Sequence, residues 1–154
     1  PAASPTPPPP SRSKAEEDPP FCLGSQSQGE EQTLASLMDL VKEGVFIAQA
    51  LVRRGGSCSR SLSCLAADHR RGLSAAYFLI IGQRYRPPIP SVVINASLPL
   101  ALRDQFVWEQ RWERANQQAA ETTSDACLKE LYQELAQDGV LHAATIRSLL
   151  EQMG

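Results

Sequence analysis

The chain has 154 residues, 42% of them apolar, and its 15 basic and 17 acidic side chains leave a formal charge of −2. One helical domain's worth of core is available once a polar, proline-rich start is set aside. The mixed charge gives no basic stripe for nucleic acid and no polybasic membrane segment, and the richest apolar stretch, residues 75–81, falls well short of the roughly 18 residues that span a bilayer, so no nucleic acid and no membrane is expected as a partner and the chain reads as soluble.

Residues 1–29 contain Pro7 to Pro10, Pro19, Pro20, several serines and the acidic run Glu16, Glu17, Asp18. Too few apolar groups are present to offset the entropy of ordering, so this stretch is expected to be a disordered tail or linker. The run Pro5 to Pro10 also has the composition of a proline-rich ligand for a protein partner with an aromatic groove. No apolar signal-peptide core lies within residues 1–20. The four cysteines, Cys22, Cys58, Cys64 and Cys127, form no CxxC pair and no Cys/His cluster, and are expected to be reduced thiols, which points to the cytoplasm.

From Glu30 onward, over residues 30–154, the pattern is helical. Leu34, Met38, Val41, Val45, Ala48 and Val52 recur at three- and four-residue spacing until Gly55 and Gly56, which predicts a first helix. Ser57 or Ser59 can cap a second helix with the face Leu62, Leu65, His69, Leu73, Ala76 and Ile80, closed by Gly82. The short turn between them makes the two helices antiparallel neighbours. Residues 84–98 hold three prolines, Pro87, Pro88 and Pro90, and the β-branched run Val92, Val93, Ile94, which predicts a long crossover rather than a turn.

A third helix is expected to start near Pro99, with Leu102, Phe106, Glu109, Trp112, Glu113 and Asn116 inward. That stripe is polar for a core face. Ser124 or Asp125 can cap a fourth helix with Leu128, Leu131, Leu135, Gly139, His142, Ile146 and Leu149 on its core side. Two antiparallel helix hairpins joined by one long crossover is an all-α, ferritin-like four-helix bundle topology.

His69 and His142 each sit centrally on an apolar helix face, and each has a small residue, Ala66 or Gly139, three places earlier. Residues i and i+3 share a helix face, so a Glu-x-x-His pair would put both ligands on one metal. The stretches 65–82 and 125–142 carry these positions, and in them the chain resembles the ferritin-like superfamily, in particular rubrerythrin-type bacterial domains, over about residues 31–152. The resemblance implies a site for iron or manganese with metal ligands His69, Glu109 and His142. Asn116 stands where a tyrosine is common.

The same resemblance puts Gly44, Ala66 and Gly139 at three glutamate positions, while Glu43 falls on the solvent side of its helix. The expected function is therefore a degenerate domain that lacks di-iron catalysis and serves a structural or interaction role, with the histidines as buried, hydrogen-bonded remnants. The alternative is a non-haem iron or manganese oxidoreductase acting on peroxide or oxygen through a reduced 2-His-1-carboxylate set. Asp138, four residues before His142, and Asp68 are the candidates to replace a lost ligand. Trp108, Trp112 and Phe106 read as packing residues. A homodimer along helix faces follows from the resemblance alone.

Overall fold

The structure, a computed structural model, describes residues 22–23, 25–63 and 70–153. All regular elements among them are helical. A single 3-10 turn, Ser25–Glu30, leads into α1 (Glu31–Arg54). A second such turn, Gly56–Cys58, precedes the short α2 (Ser59–Leu62), followed by α3 (Arg70–Ile81), α4 (Leu98–Thr122) and α5 (Ala126–Met153). Cys64, Asp68 and His69, with the rest of residues 64–69, lie outside the described residues, so the predicted second helix is described only as α2 and α3.

The three long helices bury residues at alternating three- and four-residue steps. These are Leu34, Leu37, Val41, Gly44, Ala48 and Leu51 on α1, and Leu102, Gln105, Glu109, Trp112, Asn116 and Ala119 on α4. On α5 they are Leu128, Tyr132, Leu135, Gly139, Ile146 and Leu149. A seam of that period stays on one side of a helix only when its neighbours run nearly parallel or antiparallel to it. Accordingly α4 packs most extensively on α5, and α1 packs on both α3 and α4.

Direction follows from a few contacts. Leu62 lies against Gly55 at the end of α1, and Tyr77 on α3 donates a hydrogen bond to Glu31 at the start of α1, so α3 runs antiparallel to α1. Gly82, with φ +85°, ends α3 in the left-handed conformation that glycine adopts without a Cβ penalty, and its N–H bonds to the carbonyl of Phe78. Residues 83–97 then form no regular element. This crossover is tied to α1 by Tyr85 Oη to Asp39, Lys42 Nζ to the Pro87 carbonyl and Arg54 to the Ala96 carbonyl. It therefore climbs α1 from Asp39 to Arg54, about 22 Å at 1.5 Å per residue, and α4 starts at the far end, parallel to α3.

Pro99 sits in the first turn of α4 as expected, and α4 turns into α5 through Thr123 and Asp125. Asp125 caps α5, with Oδ1 accepting the Leu128 N–H at 2.9 Å. Ser59 does not cap α2; its hydroxyl donates to the carbonyls of Gly56 and Val52 at the end of α1.

The expected reduced thiols need correction. Cys22 and Cys127 form a disulfide, with Cα atoms 5.2 Å apart, so the stretch before α1 is stitched to the first turn of α5. Leu23, in a left-handed conformation with φ 54°, donates its N–H to Asp125 Oδ2, and the buried Ser27 hydroxyl donates to the same oxygen. Glu30 accepts from Thr123 and Tyr132. Cys22, Leu23, Ser27 and Glu30 are thus all bonded to the segment from Thr123 to Tyr132. Disulfides persist in oxidising compartments, so the cytoplasmic expectation loses the reduced thiols on which it rested. Cys58 carries a free thiol. No helix among the described residues is long and apolar enough to cross a membrane.

Candidate functional site

The polar stripe on α4 faces α5 and is fully enclosed. Gln105, Glu109 and Asn116 have no exposed surface, and Trp112 between them has none either. His142 on α5 stands opposite Glu109, with Nδ1 3.3 Å from Glu109 Oε2 and 13% of its side chain exposed. The same Oε2 accepts from Gln105 Nε2 at 3.3 Å. Two of the three expected metal ligands, Glu109 and His142, are therefore neighbours. The third, His69, lies outside the described residues.

Burial is costly for an ionised carboxylate, and it dominates at Glu109. It holds the carboxyl above the ordinary glutamate range, with the nearby Asp138 charge adding to the rise. His142 and Gln105 oppose the rise without cancelling it. Glu109 Oε1 has no hydrogen-bond partner among the described residues, and neither do Gln105 Oε1, Trp108 Nε1 and Asn116 Oδ1. Asn116 does donate to the Trp112 carbonyl at 2.9 Å, and Trp112 Nε1 donates to the Leu135 carbonyl at 3.0 Å, pinning α4 to α5.

Around this cluster the interior is occupied by indole rings. Trp108 and Trp112 stack with centroids 5.7 Å apart and planes 10° from parallel. Gly44 on α1 faces the Trp108 ring so closely that a Cβ there would run into it. Gly139 on α5 leaves room for the α4 backbone, since a Cβ would stand 3.1 Å from the Glu109 carbonyl oxygen and 3.2 Å from Trp112 Cδ1. Both glycines are sites of close helix approach. Neither position accepts a carboxylate side chain without moving a neighbour, so the residues do not fit a two-metal carboxylate centre.

The other candidates lie outside the enclosed stripe, Asp138 close enough for its charge to act on Glu109. Glu43 pairs at the surface with Arg111, at 3.4 Å. Glu113 accepts from Gln117 on its own helix, and Asp138 is half-buried. Trp108 and Gln105 replace the half-buried Phe106 and Glu113 of the expected stripe. The only group of three potential metal-binding side chains among the described residues is Cys22, Asp125 and Cys127, where both sulfurs are committed to the disulfide. The chain matches no protein-family model, no curated protein and no solved structure.

Proposed function

We propose that the chain is a ferritin-like four-helix bundle in which indole packing has replaced the metal centre, and that it acts as a structural or interaction domain rather than as a di-iron enzyme. The crossover that climbs α1 and leaves α4 parallel to α3 supports the bundle topology. The observation that carries the functional reading is Gly44 held against Trp108. A metal-binding glutamate projecting from that position would need the space the indole fills.

Elemental analysis of protein purified without chelator tests the reading. Iron and manganese well below one per chain, before and after anaerobic loading, are the expected result. Two metal ions per chain would overturn it.

A second reading has one observation in its favour: a buried, unpartnered carboxylate oxygen on Glu109 next to a histidine. Glu109 and His142, joined by His69, would then hold a single iron or manganese, a Lewis-acid or redox centre for oxygen or peroxide chemistry. One metal per chain, lost in both His142→Ala and His69→Ala, would favour it over the first.

A further inference from the structure

Away from the Glu109 cluster, a cavity of about 610 Å³ opens between α1, α3 and the start of the crossover. Met38 on α1 forms its buried base, and Phe78 on α3, half exposed, and Tyr85 form apolar walls. Ser74 and Ala75 keep one side of it low. Arg84 and Arg86 flank Tyr85 in sequence and line the same cavity, and neither is in an ion pair with a described residue. Asp39 on α1 accepts the Tyr85 hydroxyl at 2.7 Å, which ties Tyr85 to α1.

A hollow of this size with apolar walls at Met38 and Phe78 and two guanidinium groups, neither in an ion pair with a described residue, is matched by a molecule with an apolar body and one anionic head. The guanidinium fork suits a carboxylate, which it can bind with two parallel hydrogen bonds. We infer that this groove binds an apolar monocarboxylate of the fatty-acid class, its chain against Met38 and Phe78 and its head on Arg84 and Arg86. The site is separate from Glu109, so it stands whether or not that region binds metal.

The test is calorimetric titration of the full chain with dodecanoate below its micelle-forming concentration, with 1-dodecanol as the headless control. One saturable site is expected. Binding should weaken by about tenfold or more in the double variant Arg84→Gln/Arg86→Gln, the effect of losing charge-assisted hydrogen bonds, and should weaken as well in Phe78→Ser. All three side chains are exposed, so the variants should keep the helical circular dichroism of the parent. Absence of saturation, dodecanol binding as tightly as dodecanoate, or an unchanged affinity in the arginine double variant would each overturn the inference.

Discussion

Gly44 is the residue whose replacement separates local preference from packing. In an exposed helix, Gly→Ala gains about 1 kcal/mol, because alanine has the better helix propensity. At position 44 the added methyl meets the Trp108 ring, and overpacking of this kind costs about 1–3 kcal/mol. Gly44→Ala should therefore destabilise the protein in urea unfolding. Its cost should shrink by about 1 kcal/mol or more in a Trp108→Leu background, where the cycle isolates the contact. A Gly44→Ala variant at least as stable as the parent would show that the indole gives way. Glu109 makes the opposite case. Its carboxyl is held above the ordinary glutamate range, so it contributes fully below that range and progressively costs stability as pH rises through the raised value. Glu109→Gln should accordingly stabilise the protein at pH 7 by about 1–3 kcal/mol, the range for a poorly satisfied buried group, and the gain should fade on titration to pH 4. A constant gain at both pH values would mean that ionisation is not its source. Glu109 and His142 are legible in the sequence because charged or polar residues on an otherwise apolar stripe stand out. Trp108 and Gln105 are not, since hydropathy prefers Phe106 over Gln105 and so turns the α4 face by one residue.

At the scale of elements, helix ends carry as much information as helix faces. The α5 start gathers its hydrogen bonds on one side chain. Asp125 accepts from the N–H groups of Leu23 and Leu128 and from the Ser27 hydroxyl. Burial alone would raise its pKa, but the bonds from Ser27 and from the Leu128, Leu23 and Cys127 N–H groups outweigh that and hold the carboxyl below the usual aspartate range. A depressed carboxylate contributes stability above its unfolded pKa and loses it as pH falls through the folded value. Asp125→Ala should thus cost about 2–3 kcal/mol at pH 7, a helix cap plus buried acceptors left unmade. In guanidinium unfolding the gap to the parent should narrow as pH falls below the ordinary aspartate range and the parent's carboxyl itself becomes protonated. A gap that persists in acid would assign the effect to lost packing. This cap is visible from sequence as an Asp ahead of an apolar run, and so are Gly82 as a helix stop and the proline-laden crossover. The direction of that crossover is not visible. It depends on Tyr85, Lys42 and Arg54 bonding to partners more than 40 residues away, and nothing local encodes the choice.

For the whole molecule, the decisive link joins the start of the described chain to the first turn of α5. Cys22 and Cys127 are 105 residues apart in sequence, and their disulfide encloses α1 to α4 in one covalent loop. Spacing alone does not reveal such a pair, because no local motif brings the partners together; the fold does so by setting the start of α1 beside the start of α5. The noncovalent contacts around the bridge converge on the same place, with Glu30 bonding to Thr123 and Tyr132 and Leu23 bonding to Asp125. The bridge therefore reinforces an arrangement the chain already favours, and its main effect is on the unfolded state, where a loop of this length loses the most freedom on closure. Breaking it should leave the helices assembled but lower the unfolding free energy by about 2–4 kcal/mol. Cys22→Ser and Cys127→Ser should each give the stability of the reduced parent, measured by urea unfolding with and without dithiothreitol at constant pH. Near-UV circular dichroism should stay native-like, because Trp108 and Trp112 lie on α4, stacked in the core away from the bridge. If reduction leaves the midpoint unchanged, the Asp125 and Glu30 contacts hold the amino-terminal segment without covalent help. If the tryptophan signal collapses on reduction, the bridge is required for the core itself rather than for its margin of stability.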